Sequence, residues 1–454
     1  MTYRRAVLEA LLKVTEEDAF ANLAAKQAFS DIRPNDVGRS TALLYTSLEH
    51  LTYCDFIINA YAKGRVRPQI RGVLRLAVSE LFFMDTPEHA VCNESVKLTA
   101  EIGKAQLKGY VNGVLRAVIR DRQAGKLPAL PEDPAERLEI ETGFPRFIIS
   151  EHIARYGLDR AESFFKAKPC PSCIRAVYPN KLSDIEAELE AYGVSGSDLL
   201  PEDAVFAESL AGLTESDLFT DGRVTVQSAG AMLACRCLDP RPGMRVLDCC
   251  AAPGGKTAYV FDLMRREGSI LAWELHPHRA ELIERTLERL HIPFERIAGA
   301  FDAAALMDAS RDGVSIAVHD ATFPVPELEG RFDAVLCDVP CSGLGGGTKP
   351  DARSRRTEES VDELCRLQLA ILKNCSRFVM PGGTLVYSTC TVSLRENEGV
   401  IERFLESEKG FIPSSLSGYL PERLKERGEC GSITLLPNVD GVEGFFISRM
   451  IRKD

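Results

Sequence analysis

The sequence predicts an α/β protein in three parts: an all-helical domain at 1–130, a small α/β module at 135–222 and a doubly wound parallel-sheet domain at 223–454. Three observations predict this. Apolar residues recur at helical spacing through the first 125 residues. KLPALPEDP, 126–134, then places three prolines in nine residues, a break that stops the helical pattern. After Gln227, short apolar runs alternate with amphipathic stretches, as parallel strands joined by crossover helices require.

Taken in order, Ala6, Val7, Ala10, Leu11 and Val14 form one apolar stripe. Ile70, Val73, Leu74, Ala77 and Leu81 form a second, and Val111, Val114, Leu115, Val118 and Ile119 a third. Stripes of this kind bury one helix face, so the segment reads as a bundle. In the small module FPRFIISEHIARYG and LSDIEAELEAYGV read as helices, CIRAVY and DAVFAES as strands. In the last part RVLDCC (245–250), SILAWE (269–274), SIAVHD (315–320), FDAVLCDV (332–339) and GTLVYSTC (383–390) read as buried strands. KTAYVFDLMRREG, HPHRAELIERTLERL and VDELCRLQLAILKNCSRFV supply helices between them. Two strand-like runs, SITLLP and GFFISRMIR, close the chain and suggest an antiparallel addition at one sheet edge.

Composition is ordinary for a globular chain, 45% hydrophobic and 27% charged, and no apolar run is long enough to span a bilayer. MTYRRAVLEALLKV carries charge inside an amphipathic pattern and lacks a small-residue cleavage site, unlike a signal peptide. Fourteen cysteines without secretory features imply reduced thiols in the cytoplasm rather than a disulfide framework. CPSC at 170–173 has only CRC at 235–237 as a partner, which is poor zinc spacing, so no metal is expected. The net charge of −11 argues against a nucleic-acid partner until it is mapped: residues 1–130 hold 18 Lys and Arg against 14 Asp and Glu. KAQLKGYVNGVLRAVIRDRQAGK, 104–126, has six basic residues and one acid, a stripe that suits phosphates and equally a solvated helix face.

CAAPGGKT, 250–257, joins the first strand of the last domain to its first helix, where such sheets bind cofactors. Pro253, Gly254 and Gly255 permit a tight turn and close backbone approach to a ligand. A phosphate-binding loop would need glycine where Cys250 stands, and G-x-G-x-x-G is absent. Glu274 ends the second strand, the usual place for a carboxylate on ribose hydroxyls. A nucleoside ligand remains, and an adenosyl methyl donor fits better than a dinucleotide.

DVPCSG, 338–343, ends one strand with Asp338 and Cys341, and LVYSTCTVSLRENEG, 385–399, ends another with Cys390. A doubly wound sheet would set these strand ends side by side, which turns two cysteines that would singly pass for packing into candidates for covalent chemistry. Ser393 with Glu396 reads as a capping box opening the next helix. Cys249, Cys337, Cys365 and Cys375 sit in apolar patterns and read as packing.

The combination of CAAPGGKT, DVPCSGLG and STCTVSLRENE closely resembles the RNA (cytosine-5) methyltransferases that use S-adenosylmethionine, over about residues 227–454. HAVCNESVKLTA and YVNGVLRAVIR resemble the NusB-like RNA-binding helical domain of the ribosomal small-subunit methyltransferase B family, of Sun/Fmu type. The resemblance implies a class I, Rossmann-like methyltransferase domain at 223–454, a NusB-like domain at 1–130, and 16S rRNA of a bacterium as substrate. An RRM-like module at 135–222 between them, a monomer, and no membrane partner complete the expectation.

By the family's pattern the thiolate of Cys390 adds to carbon 6 of cytosine, Asp338, protonated or sharing a proton, hydrogen-bonds ring nitrogen 3, Cys341 assists loss of the carbon-5 proton, and Lys256 approaches the base and the acid. DNA cytosine methyltransferases use the proline-linked cysteine instead, so the TC motif is the discriminating feature. The resemblance also implies that the backbone of Cys250, Ala251, Ala252, Pro253, Gly254, Gly255 and Lys256 holds the amino acid portion of S-adenosylmethionine, Glu274 the ribose and Asp320 the adenine edge, with Asp338 beside it. Asp302 lies nearer the expected distance from Glu274, but Asp320 precedes DVPC by the family's interval and ends a strand; residues 291–312 then contain an insertion. One departure stands out. GGTKPDARSRR keeps Lys349, Pro350, Asp351, Arg355 and Arg356 of the family's RNA-side loop and lacks its aromatic and one basic residue. Transfer RNA or 23S rRNA as substrate, and a noncatalytic RNA-binding assembly factor, are the competing readings.

Overall fold

The computed structural model describes residues 2–17, 19–297, 312–345, 353 and 356–454. Asp302, Lys349, Pro350, Asp351, Arg355 and most of the expected insertion lie outside the described residues. The chain divides into two compact units, Met1–Lys166 with Thr348–Thr357, and Ala167–Gly347 with Glu358–Asp454.

The first unit is helical: Tyr3–Glu16 (α1), Ala21–Ala28 (α2), Pro34–Glu49 (α3), Leu51–Tyr61 (α4), Pro68–Phe83 (α5), Glu88–Glu101 (α6), Lys108–Gln123 (α7), Pro134–Thr142 (α8), Arg146–Tyr156 (α9) and Leu158–Phe165 (α10). The three stripes read from the sequence form its core, with Val7, Leu11, Val73, Leu74, Val111 and Leu115 all buried. The expected break at 126–134 ends in a new helix, α8, whose start is set by Pro134 at its first position and by Asp133, which accepts from the Glu136 amide at 2.8 Å. Helix α8 packs on α4, so 134–165 groups with the N-terminal helices.

The second unit opens with a four-stranded antiparallel sheet made of Ser172–Ala176 (β1), Val194–Ser195 (β2), Ala204–Ala207 (β3) and Val224–Val226 (β4), in the order β2-β3-β1-β4. Leu182–Leu189 (α11) covers it through Ile185 and Leu189, and Asp217–Thr220 (α12) through Leu218. Arg175 on β1 is fully buried and reaches out of this small sheet to Asp262, 2.8 Å away.

The remainder is a twisted sheet with helices on both faces. Its elements are Ala229–Cys237 (α13), Arg245–Asp248 (β5), Gly255–Leu263 (α14), Ser269–Glu274 (β6), Pro277–Arg289 (α15), Phe294–Arg296 (β7), Gly313–Val318 (β8), Phe332–Asp338 (β9), Glu358–Ser376 (α16), Val379–Thr389 (β10), Glu398–Ser407 (α17), Phe411–Pro413 (β11), Ser432–Leu435 (β12) and Phe445–Arg452 (β13). Among the described residues the strand order is β7-β8-β6-β5-β9-β10-β13-β11, with β12 also paired to β13. Strands β5 to β10 run parallel. The expected antiparallel addition is present: β13 pairs antiparallel with β10, β11 and β12. Its Phe445, Ile447 and Met450 are buried, so β13 is an interior strand.

The order runs one way from β5 through β6 to β8 and the other way through β9 to β10, so the sheet reverses between β5 and β9. That switch point opens a crevice at the carboxyl ends of the strands.

Trp273, the single tryptophan, is buried in β6 and therefore reports on the second unit alone. Among the described residues, replacing Arg175 with Ala would leave Asp262 with Arg266 at 3.1 Å and Gln227 Oε1 without its 3.0 Å donor. We expect a loss of about 3 kcal/mol in Trp273-monitored denaturant unfolding. Arg223→Ala, which removes an exposed pair with Glu188, should cost about 1 kcal/mol or less.

Candidate active site

Three neighbouring strands, β5, β9 and β10, end at one edge of the crevice. In the β9–β10 register Asp338 stands opposite Ser388 and Cys337 opposite Tyr387. Three residues beyond β9 and one beyond β10, Cys341 and Cys390 come together, Sγ to Sγ 3.2 Å. They are 49 positions apart in the chain, and both are partly buried. Their contact, followed by burial, pushes the Cys341 thiol well up, so it holds its proton at neutral pH.

Between β5 and β9 lies the acid–base pair. Lys256 Nζ donates to Asp338 Oδ2 at 2.6 Å, and Ser388 Oγ donates to Asp338 Oδ1 at 2.7 Å. Burial would lower Lys256, but the Asp338 carboxylate outweighs it, with Cys235 and Cys390 acting the same way, and the ammonium is held above its ordinary range. Lys256 also sits 5.8 Å from the Phe445 ring centre.

The loop from Cys249 to Gly254 begins where β5 ends and is tied to the next strand by the Ala251 amide donating to Trp273 O at 2.9 Å. Gly254 has φ +101°, a backbone that favours glycine, and a Cβ there would also press on Ile283 at 3.1 Å. A Cβ on Gly255 would stand in open space, so the backbone is bare where helix α14 begins. Helix N-termini of this kind suit a carboxylate. Glu274 ends β6, and Asp320 follows its parallel neighbour β8 by two residues on the same sheet edge. Glu274 is buried, accepts from the His276 amide at 3.1 Å and lies 3.5 Å from Arg279. Asp320 is half-buried and accepts from Thr322 N and Oγ1 at 2.9 and 2.7 Å.

The capping box expected from Ser393 and Glu396 does not form. Helix α17 starts at Glu398, and Glu396 is fully buried behind the two cysteines. Its Oε1 accepts from Ser342 N at 2.8 Å and Gln368 Nε2 at 2.9 Å, its Oε2 from Ser342 Oγ at 2.5 Å and Thr391 Oγ1 at 3.3 Å. Four donors on one carboxylate outweigh a helix cap, and they lock the Cys341 loop to the Cys390 loop. Gln368 also donates to Pro340 O at 2.9 Å, and Asn397 joins Thr389 at 2.6 Å to Thr391 O at 3.0 Å. Burial raises the Glu396 carboxyl, and its hydrogen bonds oppose this.

Asp248 was also not singled out from the sequence. It ends β5, is 2% exposed, and accepts from Thr257 Oγ1 at 2.7 Å. Burial, with the Asp338 charge adding, pushes it up to about 6 against the Thr257 bond. An acid ending the first strand beside a glycine loop was the available signal; the network role of Glu396 left none, because its partners lie on three separate segments.

Residues 235–451 match the family described as 16S rRNA methyltransferase RsmB/F, and residues 1–120 match the NusB family. The chain is 33% identical to a probable ribosomal RNA small subunit methyltransferase B of Bacillus subtilis (strain 168), covering 99% of this chain and 98% of that one. It is 30% identical to a protein of the same name from Synechocystis sp., covering 97% of each. The solved structure of PH0851 is similar over 99% of this chain and 98% of that chain, with a TM-score of 0.77 at 25% identity.

Glu396→Ala removes the acceptor of the Ser342 amide and one of the two acceptors of Gln368 Nε2, and should cut methyl transfer by about 10²-fold, as misplacement of reacting groups by about 1 Å does, while leaving cofactor affinity unchanged. Glu396→Gln, which keeps acceptors, should fall between; equal losses in both variants would remove the locking role. Asp248 in its raised state binds a proton more tightly folded than unfolded, so its contribution to stability is present below about pH 4 and lost as pH rises through about 6. Asp248→Asn should therefore stabilise relative to wild type at neutral pH, by about 3 kcal/mol at most, and show no gain near pH 4 in Trp273-monitored unfolding.

Proposed function

Because the chain belongs to the RsmB/F family of 16S rRNA methyltransferases, we propose that it methylates carbon 5 of one cytosine in 16S rRNA, with Cys390 as nucleophile and S-adenosylmethionine as donor. The observation that carries this reading is the 3.2 Å approach of Cys341 to Cys390 beside the Lys256–Asp338 pair.

Carbon 5 of cytosine is too weak a nucleophile to attack a sulfonium methyl until a group adds to carbon 6. Cys390 makes that addition as thiolate, the reactive form of cysteine. The protonated Cys341 donates to the sulfur of Cys390 and, with the Lys256 ammonium, favours negative charge there. Asp338, fixed by Ser388 and Lys256, hydrogen-bonds ring nitrogen 3 through a proton shared from the Lys256 ammonium, and the pair stabilises the electron-rich adduct. S-adenosylmethionine supplies a methyl group on a sulfonium. After carbon 5 takes it, the carbon-5 proton must leave before Cys390 can. Cys341 can receive that proton as thiolate, once its own thiol proton has passed to solvent, and its raised proton affinity then makes it a strong acceptor.

The bare backbone at Gly255 and the turn from Cys250 to Lys256 fit the amino acid end of the donor, with Glu274 toward the ribose and Asp320 toward the adenine. For RNA, α7 and the residues after it expose Arg116, Arg120, Arg122 and Lys126 while burying Val111, Val114, Leu115 and Val118, so the apolar face packs and the basic face is left for phosphates. Among the described residues no helix is long and apolar enough to cross a membrane.

Bisulfite sequencing of 16S rRNA from cells lacking the protein tests this. One protected cytosine should be lost, restored by wild type and not by Cys390→Ala, and Cys341→Ala should remain covalently trapped on RNA. An unchanged 16S profile would overturn the substrate; restoration by Cys390→Ala would overturn the nucleophile.

A further inference from the structure

Directly behind the cofactor loop, three more thiols meet that play no part in the chemistry above. Cys249 follows β5, Cys337 lies in β9 and Cys375 on α16, and their sulfurs all lie within 4.8 Å of one another. All three are buried, with exposures of 2%, 0% and 0%, and no disulfide joins them. The backbone holds two of them in place: the Cys249 amide donates to Leu336 O at 3.0 Å, setting Cys249 beside Cys337 across the β5–β9 pairing. Cys375 comes from the opposite direction, its thiol donating to Ala321 O at 3.7 Å. Cys250 adds a fourth sulfur in contact with Cys249.

From these positions we propose that Cys249, Cys337 and Cys375 form a structural site for a thiophilic divalent d¹⁰ cation, zinc in the cell, with Cys250 within reach as a fourth ligand. The chemistry selects the class of ion. Three sulfurs without a carboxylate or imidazole among them exclude magnesium, calcium and manganese, which need oxygen ligands. A zinc–sulfur bond of about 2.3 Å sets sulfurs roughly 3.8 Å apart in a tetrahedral site, so sulfurs already within 4.8 Å of one another need draw in by only about 1 Å. Binding exchanges one thiol proton, released to solvent, for each metal–sulfur bond formed, three from Cys249, Cys337 and Cys375 and a fourth where Cys250 completes the set, and so strengthens as pH rises. The bound ion would pin the ends of β5 and β9 to α16, one residue from Cys250 of the cofactor loop and one from Asp338. It is a closed, noncatalytic site. Sequence spacing cannot reveal it, because the ligands at 249, 337 and 375 lack any local motif.

The test uses the full-length protein, purified reduced and without chelator. Elemental analysis should find one zinc per chain, and exchange with ¹¹³Cd should give one resonance in the range of all-sulfur coordination. Loading should raise the midpoint of Trp273-monitored melting by several degrees. The double variant Cys341→Ser/Cys390→Ser should retain the metal, since the other close pair of thiols is not the site; Cys375→Ala and Cys337→Ala should lose it. The proposal is overturned by wild type that binds no zinc and shows no all-sulfur ¹¹³Cd signal, or by metal that survives Cys375→Ala and disappears from the double variant. Should the alanine variants fail to fold, the ¹¹³Cd spectra of wild type and of the double variant decide the matter alone.

Discussion

The parallel pairing of β9 with β10 is the constraint on which the site rests. Opposed in register, Asp338 and Ser388 bring the two chain segments out of the sheet at the same level, and Cys341 and Cys390 meet a few residues later. A slip of one residue would turn every side chain of one strand to the other face and separate the acid from its hydroxyl donor. The register is secured by burial on both faces: Val335, Leu336 and Cys337 on one strand and Leu385, Val386 and Tyr387 on the other are all fully buried.

Register alone leaves the two loops free to diverge once the ladder ends. Two features hold them. Glu396 gathers hydrogen bonds from the Cys341 loop, the Cys390 loop and α16. Gly345 and Gly444 bring backbone to backbone, with the Gly444 amide donating to Gly345 O at 2.6 Å; a Cβ on Gly345 would meet Gly444 O and Cys390 O at 2.2 and 2.8 Å. A buried carboxylate is costly unless its lone pairs are filled, and here they are, so the network stiffens the loops instead of destabilising them. Reacting groups held in this way need little rearrangement when charge develops.

Legibility in the sequence followed the range of the forces involved. Helical stripes, the strand–helix alternation and the antiparallel closing strands depend on side chains a few positions apart, and the structure has them where the periodicity points. The glycine loop at 253–255 and the cysteines ending two strands were legible for the same reason. Glu396 was misread because three-residue spacing from Ser393 is a local pattern, while the donors that captured it, at 342, 368 and 391, are remote in sequence or hidden in a turn. Asp133 and Pro134, by contrast, start α8 at the end of the expected break, a purely local effect.

By itself the sequence determined the fold class, the succession of elements and which residue types stand at the strand ends, because hydrophobic period, turn chemistry and motif spacing act over a few residues. Tertiary structure alone decided that Cys341 lies against Cys390, that Lys256 pairs with Asp338 across 82 positions, that Glu396 is a buried clasp, and that three thiols from two strands and a helix share one pocket of sulfur. Those facts come from strand order and register, and no local preference encodes which strands become neighbours.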